Sequence, residues 1–65
     1  MDLSEDDLRE AKMQIDSVIR KLEQTLDTLE SKEDPSKCRS QITLTRRRLK
    51  AFRIATILIE KEMNL

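Results

Sequence analysis

The chain has 65 residues, with thirteen Lys+Arg set against thirteen Asp+Glu, so its formal net charge is zero. It has no Gly, no His, one Cys and 2% aromatic residues. This excludes glycine-rich phosphate loops, His-containing zinc sites, Cys–His nucleophiles and a disulfide framework. Leu, Ile, Val and Phe number seventeen, more than is typical of disordered chains, so a folded core is expected. A core this small seldom suffices alone: below roughly 70–80 residues, partners or staples usually complete it.

The first residues, Met1-Asp2-Leu3-Ser4-Glu5-Asp6-Asp7, are acidic and lack the basic and apolar regions of a secretory leader. The longest uncharged apolar stretch, Ile54 to Ile59, is far too short to span a bilayer. A cytoplasmic protein with no membrane contact is expected, its lone cysteine giving no reason to invoke an oxidising compartment.

Leu8, Ala11, Ile15, Val18, Leu22, Thr25 and Leu29 recur at steps of three and four, with Ile19 and Leu26 widening the stripe. That is the period of an amphipathic helix. Ser4 and Asp7 have the spacing of a capping box, and Leu3 is placed to staple onto Leu8. A second run follows at Cys38, Ile42, Thr45, Leu49, Phe52, Thr56, Ile59 and Met63. Between the two runs stands Asp34-Pro35. Aspartate is a good N-cap, and proline is tolerated at the first helical position because its missing N–H would have no partner there. Proline also disfavours helical geometry in the residue before it, which breaks the chain into two helices.

The expected fold is therefore all-α: one antiparallel two-helix hairpin over residues 1–65. Its helical arms run from about 5–32 and 35–63, with the turn at about 32–35. Each arm is about 28 residues, or roughly 42 Å at 1.5 Å per residue.

The zero net charge conceals a division. Residues 1–34 hold eleven acids and five bases, a net of −6, and residues 35–65 hold two acids and eight bases, a net of +6. Asp16, Glu23 and Glu30 are seven apart beside the first stripe, and Arg39, Arg46 and Arg53 are seven apart beside the second. Folding back at Asp34-Pro35 sets Glu30 against Arg39, Glu23 against Arg46 and Asp16 against Arg53, with Arg9 and Glu60 exchanging signs one step further on. Edge charges beside a helical seam choose orientation and register. Exposed pairs contribute only ~0–1 kcal/mol each, so this ladder specifies more than it stabilises.

Two helices bury only one side of each other. Leu44, Ala51, Ala55 and Leu58 form a second apolar line on the second helix, extended by Ile54, and Ala11 and Val18 offer a shoulder on the first. Leu44, Ala51, Ile54, Ala55 and Leu58 are thus the expected partner interface. Either a homodimer completes a four-helix bundle there, or another protein lays its own helix in the same place.

Arg47, Arg48 and Lys50 belong to a basic amphipathic segment, and a nucleic-acid contact is the competing reading of that face. The absence of any aromatic besides Phe52 argues against base stacking. Cys38, on the second stripe, reads as a small buried hydrophobe, although Lys37 and Arg39 beside it would favour a thiolate. No residue set has catalytic, cofactor-binding or metal-binding spacing, and an enzyme is not expected.

Leu22-Glu23, Leu26 and Leu29, followed after the turn by Lys50-Ala51-Phe52, Ala55 and Ile57-Leu58-Ile59, resemble the small helical-hairpin chaperones of type III secretion needle subunits. The resemblance spans roughly residues 15–60, and where that family's turn carries a glycine this chain has Asp34-Pro35. It implies a cytoplasmic adaptor that, together with a second chaperone, holds an aggregation-prone secreted subunit.

Overall fold

In the computed structural model, which describes residues 2–64 apart from the Pro35 side chain, the chain turns back on itself once. Helix α1 runs Glu5–Glu30, a short 3-10 helix covers Pro35–Cys38, and α2 runs Arg39–Met63. The two long helices pack along a rod of 47 × 19 × 15 Å.

The start of α1 follows from its local chemistry. The Asp7 backbone N–H donates to Ser4 Oγ at 3.1 Å, and the Ser4 N–H donates to the Asp7 carboxylate at 3.1 Å. Two amides that a helix start leaves without partners are thereby satisfied. Glu5, Asp6 and Asp7 occupy the first turn, where the helix dipole favours negative charge. Leu3 remains more than half exposed.

α1 ends at Glu30, two residues before the expected limit, when the Ser31 N–H closes onto the Asp27 carbonyl at 3.0 Å. Asp34 takes the N-cap position with Pro35 next to it, but the helix they open is 3-10 for its first four residues. The Asp34 carboxylate accepts the Ser36 hydroxyl rather than a backbone amide. No described residue has positive φ, so the reversal is made without the left-handed geometry that glycine supplies.

All eight residues of the second stripe, from Cys38 to Met63, are buried or half-buried. On α1 the seam is rotated from its expected phase. Ile19 and Leu26 are half-buried while Val18 and Thr25 are exposed, so the strip follows Leu8, Lys12, Ile15, Ile19, Leu22, Leu26 and Leu29 in alternating steps of four and three. This phase directs the two larger aliphatic side chains inward, and β-branched Val18 and Thr25 fall on its flank.

The interior is thin. Among the described residues only Leu29, Thr45 and Leu49 are buried, and no large side chain is completely enclosed. Thr45 satisfies its hydroxyl by donating to the Gln41 carbonyl at 2.8 Å, the backward bond that lets a threonine sit in an apolar seam.

Candidate interaction surface

The hairpin has two dissimilar flanks beside its seam, both dictated by heptad position. On one, the acids of α1 meet the arginines of α2. Arg46 Nη2 lies 2.7 Å from Glu30 Oε2, and Arg53 Nη2 lies 3.4 Å from Glu23 Oε2. The residues are those expected, but their pairing is displaced by one heptad: Arg46 reaches Glu30 instead of Glu23, and Arg53 reaches Glu23 instead of Asp16.

Side-chain direction accounts for the shift. Every Cα–Cβ bond on a helix tilts toward that helix's N-terminus. In an antiparallel pair the arginines of α2 therefore lean toward the turn, and the glutamates of α1 lean away from it. An arginine thus meets the glutamate nearer the turn than its own backbone level.

Asp16 and Arg39 consequently leave the cross-helix ladder. Asp16 receives Lys12 Nζ at 2.9 Å from its own helix. Arg39 makes no ion pair among the described residues and lines an open groove with Glu30, Ser36, Ile42, Thr43 and Arg46. Arg9 pairs with Asp6 within the first turns of α1 at 3.3 Å, and its expected place opposite Glu60 is taken by Lys12, 3.6 Å from Glu60 Oε1.

Lys12 is a residue the stripe reading passed over. Its position, four after Leu8 and three before Ile15, lies on the seam once Ile19 and Leu26 define the phase. A lysine on a seam adds register specificity at some cost in stability. The side-chain hydrogen bond to Asp16 and that carboxylate's charge hold the Lys12 ammonium above its ordinary 10.5; burial opposes the rise, and Glu60 reinforces it.

Because the folded-state value is raised, the contribution of this ammonium is complete below 10.5 and fades as pH climbs through the higher folded value. In thermal melts, wild type is expected to lose stability more steeply above pH 10.5 than Lys12→Met, with similar pH dependence through neutrality. Parallel profiles above that pH would remove Lys12 from the set of residues that hold the register.

The other flank carries few charges. Leu44, Ile54 and Leu58 of the expected interface are 46%, 48% and 60% exposed, and Ile57, which the expected set omitted, is 52% exposed. Ala51 is exposed and Ala55 half-buried. Leu44, Ala51, Ala55 and Leu58 fall on one line of α2 by spacing, and Ile54 broadens it toward the outer side of the helix, whereas Ile57, four residues after Arg53, falls on the arginine flank. Since Glu23 and Glu30 mark the charged flank of α1, Val18 and Thr25 lie on the opposite flank. The hairpin thus presents, mainly from α2, an aliphatic face with Arg48 at one end and Glu62 at the other.

Arg47, Arg48 and Lys50 are exposed and make no ion pair among the described residues. Phe52, the one aromatic residue of the chain, is half-buried on the seam. Cys38 is a half-buried free thiol at the junction of the 3-10 helix and α2. Among the described residues no three His, Cys, Asp or Glu side chains converge as a metal site, and no helix is long and apolar enough to cross a membrane.

Comparison of the chain with protein-family models, with curated proteins and with solved structures finds no match.

Proposed function

We propose that this protein is a non-enzymatic helical interaction module of the cytoplasm, which works by binding a helix through the apolar face of α2. The observation that carries this reading is the set of exposed aliphatic residues Leu44, Ile54 and Leu58 on a helix that already packs against α1 along its seam. An amphipathic helix normally has one apolar stripe, and a second one is explained by a second burial. The thin interior supports the same conclusion, because a partner on this face would supply apolar burial that the hairpin lacks. A coiled-coil homodimer and a small chaperone or adaptor are two forms of this one activity. The nucleic-acid reading is weaker, because Arg46 and Arg53 are engaged with glutamates and Phe52 is on the seam.

The test replaces Ala51 and Leu58 together by glutamate, at positions away from the seam. Molar mass across a dilution series and retention of helical proteins on the immobilised chain are compared with wild type, with helicity checked by circular dichroism. Wild type is expected to associate, with itself or with a retained protein, and the folded variant to do neither. Association unaffected by both glutamates would overturn the reading, as would a wild type that binds nothing.

A further inference from the structure

Taking the apolar face of α2 as an interface, as proposed above, we infer that its occupant is a second copy of this chain. The copy packs antiparallel about a two-fold axis, with Arg48 of each copy paired to Glu62 of the other.

The inference comes from how charge is distributed along the exposed line. Leu44, Arg48, Ala51, Ala55, Leu58 and Glu62 follow one another at steps of four and three within α2, so they share one side of that helix. Arg48, Ala51 and Glu62 are exposed, as are Leu44 and Leu58, and Ala55 is half-buried. The line is therefore apolar and small at its centre, basic toward the turn and acidic toward the open end of the hairpin. A parallel copy would lay Arg48 on Arg48 and Glu62 on Glu62. An inverted copy lays each arginine toward a glutamate, so the line is complementary to itself in one direction only. That is the requirement of an isologous two-fold interface.

Register follows from the same geometry that displaced the intramolecular ladder. Stacking Ala51 on Ala55 of the second copy places two small residues at the centre, twice over by symmetry, where they allow the helices to approach closely. In this register Arg48 has Leu58 of the second copy opposite it, and Leu44 has Glu62. Each side chain leans toward the N-terminus of its own helix. Arg48 and Glu62 of the second copy therefore lean toward each other, as Arg46 and Glu30 do within the hairpin at 2.7 Å. Val18, Lys21 and Thr25 of α1 follow one another at steps of three and four on the same side of the hairpin as this line, so α1 offers the second copy a shoulder with a single charge between two β-branched residues. The assembly is a four-helix bundle with the two α2 helices in contact.

Arg48→Glu and Glu62→Arg test this, since both positions are exposed and off the seam. Wild type is expected to be dimeric by sedimentation equilibrium. Each single reversal turns two attractive pairs into two repulsive ones and is expected to raise Kd about tenfold. An equimolar mixture of the two variants restores attraction at both pairs, so heterodimers should dominate over either homodimer in native mass spectrometry. The double variant should return to the wild-type Kd.

Circular dichroism of each variant alone checks that the hairpin is intact. A dimer indifferent to both reversals, with statistical mixing, would overturn the antiparallel register. A wild type that stays monomeric at every concentration would overturn self-pairing. If that monomer retained another helical protein and lost it on Ala51→Glu with Leu58→Glu, the face would stand as an interface with a different occupant.

Discussion

Leu49→Ala is expected to bring the hairpin to the edge of unfolding, with a loss of about 2–5 kcal/mol in urea titrations followed by circular dichroism. Leu49 is the most enclosed side chain described, 3% exposed, at the middle of the α2 stripe. Truncating it forfeits the transfer of its methyl and methylene groups out of water and leaves a gap that two rigid helices close only in part. Domains have about 0.05–0.15 kcal/mol of stability per residue, which for this chain amounts to about 3–10 kcal/mol in total. One leucine thus accounts for a large share of what holds the fold. Leu58→Ala, measured where the chain is monomeric, should change stability by no more than about 0.5 kcal/mol because that side chain is already in water. Equal losses at the two positions would mean that the seam and the outer face contribute alike, contrary to the burial pattern.

The next largest effect is expected at the start of α1, where Ser4→Ala should cost about 1 kcal/mol. The substitution removes the oxygen that receives the Asp7 amide at 3.1 Å and leaves that amide dependent on water. The reciprocal bond, from the residue 4 amide to the Asp7 carboxylate, survives because it uses only backbone at position 4. Ser4→Asp should preserve stability, since an aspartate caps as well as a serine and adds negative charge at the positive end of the dipole. Amide hydrogen exchange over residues 5–8 gives a local readout: faster in Ser4→Ala, unchanged in Ser4→Asp. Similar exchange in both variants would indicate that the first turn is held by something other than its cap.

The capping box and the position of the turn were legible because each depends on groups a few residues apart. Ser4 and Asp7 are three positions apart, and Asp34 and Pro35 are adjacent, so their chemistry operates in almost any surroundings. The α2 stripe was legible for a related reason: its apolar positions admit one phase, and that phase is the buried one. On α1 the apolar residues admit two phases, one through Val18 and Thr25 and one through Ile19 and Leu26. The choice between them belongs to α2, which packs against the phase with the larger side chains and takes Lys12 into the seam with it. Leu44, Ile54 and Leu58 of the expected interface are exposed, and Ile57 is exposed on the arginine flank.

The division of charge behind the net zero was visible from composition along the chain, as were the two helices, the capping box of α1 and the antiparallel return. Which glutamate meets which arginine was not. Position numbers treat a helix as a line, and on a line Glu23 stands opposite Arg46 as well as any other residue. In three dimensions the side chains lean, the turn has a length, and the arginines reach one heptad toward the turn to Glu30 and Glu23. The same step frees Asp16 for Lys12, whose seam position then draws in Glu60 across the open end of the hairpin. Local patterns determine where helices begin, end and turn because they act within a few residues. Register belongs to tertiary structure because it depends on how far, and in which direction, side chains on separate helices can reach.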